Sequence, residues 1–218
     1  MKLRVRVSQA TVRNILSENG FDTTISANKY LTWREFLNRH KSVWAVDFFT
    51  LETALLKTVY IFAVIDIHTR EIIELKVSPL PFQLWVINTL KNSFGFDRAP
   101  DLIIRDRAGN YGDLNNIAGV KVIKTPPRNP KYNAFVERLI GGVQRGCTNH
   151  FLCLTEKQVQ ESLDEYKEYF NYHRPHQGLG QKIPLASESS NEKPVIFPTK
   201  INSVKLVGGL HHGYSSCR

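Results

Sequence analysis

Three runs rich in β-branched and aromatic residues follow one another between residues 43 and 78. They are VWAVDFFT (43–50), TVYIFAVID (58–66) and EIIELKVS (71–78), and only the short segment IHTR separates the second from the third. Residues of these types favour strands, and short connections favour pairing between neighbours. The sequence therefore predicts three consecutive antiparallel strands.

The segments that follow these strands alternate between helical and strand patterns. Residues 80–94 carry apolar side chains at helical spacing, with Leu84, Ile87, Leu90 and Phe94 on the same side. The short apolar runs at 101–105 and 119–125 are typical of buried strands, and two longer helical patterns come after them, the second of which opens with a capping box of Thr155 and Gln158. This order predicts an α/β fold, in which a mixed five-stranded sheet has three antiparallel strands, then two parallel strands, and helices on both faces.

The first of these longer patterns lies in the stretch KTPPRNPKYNAFVERLIGGVQRGCTNH (124–150), a basic, proline-rich turn that runs into a helix. Asn129 suits the N-cap, and Pro130 suits the first helical position, where a missing N–H costs nothing. Glu137 shares a face with Asn133, and a lone helical Glu is often only a solvated residue. The cations around this carboxylate are Lys124, Arg128, Lys131, Arg138 and Arg145. That setting is typical of a metal or phosphate site.

Two further carboxylates stand at unusual places. Asp47 lies in the middle of the first strand pattern, where a buried charge without a partner is costly. Asp106 follows the strand pattern 101–105, at the carboxyl end where open α/β sheets bind ligands. Each could instead be a structural Asp bonded to nearby backbone. Together with Glu137 they form a convergent set of oxygen ligands that suits a pair of Mg²⁺ or Mn²⁺ ions and in-line phosphoryl displacement.

The charge of the chain favours a polyanionic partner such as nucleic acid. The formal net charge is +9 at pH 7, and residues 105–146 carry eight Lys and Arg against three Asp and Glu. The positive surface is therefore local. Asn133 is a weaker DNA-binding candidate on the Glu137 face. The predicted contacts to DNA phosphates are Lys124, Arg128, Lys131 and Arg138.

The three cysteines do not form a disulfide framework, because their number is odd and their spacing is not paired. They favour a reducing compartment. Cys147, His150 and Cys153 have a zinc-like spacing, but no further ligand pair accompanies them, so zinc is the less favoured interpretation. We expect neither a signal peptide nor a membrane span, since the longest apolar run is broken by Asp66.

Five motifs together resemble the integrase catalytic core of the DDE transposase and retroviral integrase superfamily, and within it the insertion-sequence transposases. They are VWAVDFFT, DIHTREI, RDRAGNYG, TPPRNPKYNAFVERL and NYHRPHQGLGQKIP, in this order between about Thr32 and Ile183. The spacing of the carboxylates also fits, with 58 residues between Asp47 and Asp106 and 30 between Asp106 and Glu137.

The resemblance implies a ribonuclease H-like fold and a metal-dependent polynucleotidyl transferase. Asp47, Asp106 and Glu137 would be its catalytic and metal-binding residues, with Mg²⁺ or Mn²⁺ as cofactor. The implied partners are transposon ends and target DNA, bound by a homo-oligomer in the bacterial cytoplasm near the nucleoid. The chain departs from the family at Ile104-Arg105-Asp106, where His-Ser-Asp is common, and Arg105 is expected to add a cation beside the metal.

The resemblance also suggests domain boundaries. Residues 1–31 would be an N-terminal extension, a remnant of a helix-turn-helix domain whose last helix, at 8–19, is capped by Ser8 and has Val12, Ile15 and Leu16 on its buried side. Residues 32–185 would be the catalytic core, and residues 186–218 a C-terminal tail rich in Pro, Ser and Gly. Two alternatives stay open: a nuclease of the same fold that only hydrolyses DNA, and an inactive or truncated transposase-derived protein that binds DNA.

Overall fold

The computed structural model describes most of the chain, in segments with gaps between them. The described residues are 8–19, 33–95, 99–107, 119–125, 133–185 and 200–217, together with Tyr111, Leu114 and Ile117. The chain divides into two compact units, Met1–Arg39 and His40–Arg218. Among the helices of these segments, none has the length and apolar character needed to cross a membrane.

The first unit contains two helices, α1 (Gln9–Glu18) and α2 (Trp33–Asn38). Ser8 caps α1 as predicted, because its Oγ accepts a hydrogen bond from the backbone N–H of Thr11 at 3.1 Å. The expectation that α1 buries an apolar side is wrong. Its three apolar residues are between 40% and 50% exposed: Val12, Ile15 and Leu16.

The second unit is built on a five-stranded sheet. In space the strands run in the order β3-β2-β1-β4-β5. The pairs β1/β2 and β2/β3 are antiparallel, whereas β1/β4 and β4/β5 are parallel. This confirms the predicted mixed sheet, and the topology is ribonuclease H-like. In chain order the strands are β1 (Val43–Glu52), β2 (Thr58–Asp66), β3 (Ile72–Ser78), β4 (Leu102–Arg105) and β5 (Lys121–Lys124).

One face of the sheet is covered by the helix α3 (Gln83–Ser93). Side chains alternate between the faces of a strand, so Trp44 and Val46 of β1 point to this side and share a core with Val86 and Leu90 of α3. The helix is predicted correctly, and Ile87, Leu90 and Phe94 lie in or against the core as expected. Leu84 is the exception, since it is 59% exposed. This helix is apolar on more than one side, and contact with the sheet selects the side that is buried.

The opposite face is covered by the helix α4 (Ala134–Gly146), which lies against β1 and β2. The helix buries Val136, Leu139 and Val143, as its pattern predicts. It begins at Ala134 with Asn133 at the N-cap. The predicted start at Asn129 and Pro130 is therefore wrong, and those two residues lie outside the described segments. The reason is that the buried apolar stripe of α4 starts only at Val136.

The helix α5 (Glu156–Tyr172) packs against β3, the strand at one edge of the sheet. The predicted capping box of Thr155 and Gln158 is present at its N-terminus. Asn171 accepts a hydrogen bond from the backbone N–H of Ile72 at 2.8 Å and donates one to the Ile72 carbonyl at 2.9 Å. Gln160 makes a similar pair of bonds to β3 at 2.9 Å each. These side chains satisfy backbone hydrogen-bonding groups of the edge strand β3, which could otherwise pair with a strand of another chain.

Replacing Asn171 with Ala is expected to lower the free energy of unfolding by about 2–3 kcal/mol, because two buried backbone groups of Ile72 would lose their partners. Equilibrium unfolding in urea measures the difference. The matched control is Asn92→Ala on the exposed side of α3, which is expected to change stability by less than about 0.5 kcal/mol. Equal losses in the two variants would contradict this role of Asn171.

Residues 200–217 form a β-hairpin that the sequence pattern does not predict. Its strands, β6 (Lys200–Leu206) and β7 (His211–Cys217), are antiparallel. The ring of His211 stacks on Tyr169 of α5 with 4.0 Å between ring centres, and its Nε2 lies 2.7 Å from the Gly146 carbonyl. The segment interpreted as a C-terminal tail therefore includes ordered structure that packs on the helices. Its strands are rich in polar residues, so they lack the apolar alternation that identifies a strand in a sequence.

Candidate active site

Asp47 lies near the middle of β1, on the face of the sheet that α4 covers. Its Oδ1 accepts a hydrogen bond from the backbone N–H of Phe48 at 2.8 Å, and its Oδ2 accepts one from Nδ2 of Asn133 at 3.1 Å. Asn133 is buried at the N-cap of α4. The amide of Asn133 therefore ties the beginning of α4 to the carboxylate at the centre of the sheet.

The fold brings two more carboxylates towards Asp47. β4 runs parallel to β1 with Arg105 opposite Val46, so Asp106 follows β4 at the level of Asp47. Glu137 lies in the first turn of α4, four residues after Asn133, and its side chain is exposed. Three segments that are distant in the sequence thus meet at one edge of the parallel half of the sheet.

The pKa of Asp47 records this proximity. Burial of the carboxyl raises its pKa most, and the charges of Asp106 and Glu137 raise it further. The hydrogen bonds from Phe48 and Asn133 act in the opposite direction, and the pKa rises from 3.8 to about 6. Three carboxylates that repel one another at a half-buried position are electrostatically unfavourable unless a cation joins them.

The donor chemistry of this cluster fits a hard divalent cation. Its oxygens come from carboxylates, which Mg²⁺ and Mn²⁺ prefer, and Oδ1 of Asn133 is a buried acceptor without a hydrogen-bond partner. Within the described segments, no group of three or more His, Cys, Asp and Glu side chains already stands at metal-binding spacing. Asp47, Asp106 and Glu137 are the residues that could hold such an ion.

Tyr111 is a site residue that the sequence pattern does not identify. Its side chain is fully buried, and its hydroxyl donates to the Val46 carbonyl at 3.4 Å. Burial raises the pKa of Tyr111 well above its ordinary value, as do the charges of Asp47 and Asp106 and a hydrogen bond with Asp106. Arg105 stacks on this ring at 5.0 Å and is buried. The only sequence signal for Tyr111 is its place in the motif RDRAGNYG.

The predicted DNA contacts are only partly described. Lys124 is exposed at the end of β5, and Arg138 is exposed on α4 next to Glu137. Arg128 and Lys131 lie outside the described segments. Asn133, the weaker candidate, is not an exposed DNA contact here, since it is buried against Asp47.

The zinc interpretation of Cys147, His150 and Cys153 gains no support from the described residues. Cys147 is buried, and its thiol donates a hydrogen bond to the backbone carbonyl of Ser162 at 3.5 Å. Nε2 of His150 lies 2.8 Å from the backbone carbonyl of Arg145. This part of the chain therefore has a structural role at the end of α4.

The fold and the carboxylate cluster together define a class, that of ribonuclease H-like proteins with an acidic site on the central sheet. The family described as "Integrase core domain" matches residues 118–184. A relative is the "Insertion element IS476 uncharacterized 39.2 kDa protein" of Xanthomonas euvesicatoria, which is 24% identical over 153 residues. That alignment covers 68% of this chain and 44% of the relative, so the chain spans less than half of the relative's length.

Two solved structures share the fold. A chain in the structure of the simian T-cell lymphotropic virus intasome in complex with PP2A regulatory subunit B56 gamma has a TM-score of 0.57 and 14% identity, with 76% of this chain and 63% of that chain covered. The HTLV-2 integrase catalytic core domain in complex with magnesium has a TM-score of 0.50 and 11% identity. This match covers 65% of our chain and 92% of the HTLV-2 chain. The family match and the insertion-element relative support the resemblance of this chain to the superfamily of DDE transposases and retroviral integrases.

Proposed function

We propose that this chain is the catalytic core of a transposase that cleaves DNA at the end of a mobile element and joins the freed 3′-OH to target DNA. The observation that carries the proposal is the convergence of Asp106 and Glu137 on Asp47, whose pKa their charges raise. A purely structural carboxylate gains nothing from two like charges beside it, whereas a site for phosphoryl transfer needs such a set. The integrase core match and the insertion-element relative support the choice of DNA as substrate.

In this proposal Asp47 and Asp106 would hold the divalent cations, and Glu137 would complete the site. The magnesium in the HTLV-2 integrase core structure supports Mg²⁺ as the cofactor. Mn²⁺ is the alternative, and we expect two ions. When bound, such ions activate the attacking oxygen and stabilise the leaving oxygen. The chain itself fixes the ligands, because Phe48 and Asn133 orient the carboxylate of Asp47 through the hydrogen bonds described above.

The basic residues of the same region would hold the substrate. We propose that Lys124 and Arg138, together with Arg128 and Lys131, contact backbone phosphates, which gives affinity without sequence choice. Arg138 directly follows Glu137 on α4, so a strand bound by Arg138 would pass the carboxylates. Assembly on DNA ends is proposed by analogy with the intasome and with the trimeric form of the HTLV-2 core, and we expect a homo-oligomer.

The test is cleavage and strand joining on labelled duplex DNA with Mg²⁺, with Mn²⁺ or with EDTA. Joined strands that form only with a divalent cation support the proposal. Cleaved strands without any joined product indicate a nuclease of the same fold. Salt-sensitive DNA binding without cleavage in either metal would contradict the proposal and favour a non-catalytic DNA-binding protein.

A further inference from the structure

A cavity of about 620 Å³ lies beside α4 and α5, on the same face of the sheet as the carboxylates. Five residues of α4 line it at helical spacing, because positions 135, 138, 139, 142 and 145 share one side of the helix. The connection after β2, which contains Arg70, and the segment after α5 close the other sides. The cavity is wide enough for a phosphate group and an attached sugar.

The charged side chains of this cavity are all cationic. Arg70, Arg138, Arg145 and Arg174 line it, and no Asp or Glu is among the described lining residues. None of the four guanidinium groups forms an ion pair within the described segments. Asp66 is the carboxylate whose charge raises the pKa of Arg70. Its two oxygens already accept hydrogen bonds from Ser42, His68 and Thr69.

Arg70 shows that the cavity has an unmet hydrogen-bonding capacity. Its Nη1 is buried and has no hydrogen-bond partner. The guanidinium is held in place, since it lies 4.1 Å from the ring centre of Phe135 and packs over Gly178. Burial and the charge of Arg138 lower the pKa of Arg70. A buried, fixed donor beside other cations is costly without an anion.

Aromatic side chains in and beside the cavity position Arg174 rather than neutralise it. Arg174 donates to the hydroxyl of Tyr166 at 3.1 Å and lies 5.4 Å from the ring centre of Phe170. His176 contacts the Phe170 carbonyl through Nε2 at 3.4 Å, and burial together with Arg174 and Arg70 lowers its pKa. Planar guanidinium groups held against aromatic rings present fixed pairs of N–H donors, the arrangement that suits phosphate oxygens.

We propose that this arginine pocket, defined by Arg70, Arg138, Arg145 and Arg174, binds a phosphate group. A strand of DNA that runs from the carboxylates along α4 is the favoured source of that phosphate, and this preference rests on the proposed function. The alternative source is a small phosphorylated molecule. The pocket itself does not depend on the catalytic proposal, because its tests measure binding and thermal stability.

The variants are Arg70→Gln, Arg145→Gln and their combination. Arg145 is exposed, so its replacement leaves the core intact even if Arg70→Gln disturbs the packing on Phe135. The matched control is Lys91→Gln, which removes one exposed positive charge from α3 on the opposite face of the sheet. The first arm measures the melting temperature with pyrophosphate against sodium chloride at equal ionic strength. The second arm measures duplex DNA affinity by fluorescence anisotropy at several salt concentrations.

We expect pyrophosphate to raise the melting temperature of the wild type and the Lys91→Gln variant, but not that of the double variant. With DNA as the source, each pocket variant weakens DNA binding about fivefold and reduces the salt slope by about one, whereas Lys91→Gln changes neither. Loss of the pyrophosphate effect with unchanged DNA binding assigns the pocket to a small phosphorylated molecule. Pocket variants that match Lys91→Gln in both arms overturn the proposal, whether or not the chain joins DNA strands.

Discussion

Replacing Asp47 with Asn is expected to abolish DNA joining and at the same time to stabilise the metal-free protein by about 2 kcal/mol at pH 8. The wild-type carboxyl has its pKa raised from 3.8 to about 6 by burial and by the charges of Asp106 and Glu137. Each pKa unit corresponds to about 1.4 kcal/mol, and the partial exposure of Asp47 reduces the sum. The neutral amide removes this repulsion and also removes the ligand.

The pH dependence follows from the direction of the shift. Because the pKa of Asp47 is raised in the folded state, the protonated carboxyl contributes favourably to the stability of the fold. This contribution is complete below about pH 3.8 and is lost as the pH rises through about 6. The variant cannot lose this contribution. The difference in stability between variant and wild type should therefore be small at pH 4, grow between pH 4 and 6, and stay constant above that range.

The surroundings of Asp47 can accept the amide. Its oxygen can keep the hydrogen bond from Phe48, and rotation of the Asn133 side chain would present Oδ1, a buried acceptor without a partner, to the new N–H group. Urea unfolding in EDTA at pH 4 and pH 8 measures the effect. Asp101→Asn is the control, and it is expected to lower stability at pH 8 rather than raise it. The reason is that hydrogen bonds from Lys41 and Ser42 lower the pKa of Asp101. A variant less stable than the wild type at pH 8 would refute the argument.

The second large effect is expected for Asp106→Asn and Glu137→Gln, made separately. Each should reduce the rate of metal-dependent cleavage by about 10³ or more, which corresponds to about 4 kcal/mol of transition-state stabilisation. Each removes one charge from a set that acts as a unit, and neither residue belongs to the apolar core. Product formation over time on labelled DNA, with circular dichroism to verify folding, gives the comparison.

Glu156→Gln is the matched control for Glu137→Gln. Both residues are exposed and lie in the first turn of a helix, α5 and α4 respectively. The two substitutions therefore change the interaction with the helix dipole in the same way, and only one of them touches the carboxylate cluster. Normal strand joining by Glu137→Gln or by Asp106→Asn would show that the assignment of these residues is wrong.

Most of the fold could be predicted from local patterns. The strands of the sheet, the buried stripe of α4 and the capping box of α5 each depend on residues close together in the sequence, where propensity and periodicity act directly. The positions where local signals compete were predicted less well. The buried side of α3 passes through Val86 rather than Leu84, because contact with the sheet decides which of two apolar sides is covered.

The sequence by itself determined the order of the strands along the chain and the helices that follow them. It also determined the identity of the carboxylates that form the candidate site. Only the tertiary structure decided that Asn133 holds Asp47, that Tyr111 contacts Asp106, and that the polar strands β6 and β7 pack on the helices. It also decided that Arg70 meets three arginines from α4 and from beyond α5. Contacts between distant segments depend on how helices and strands pack, and that geometry leaves no periodic signal in the chain.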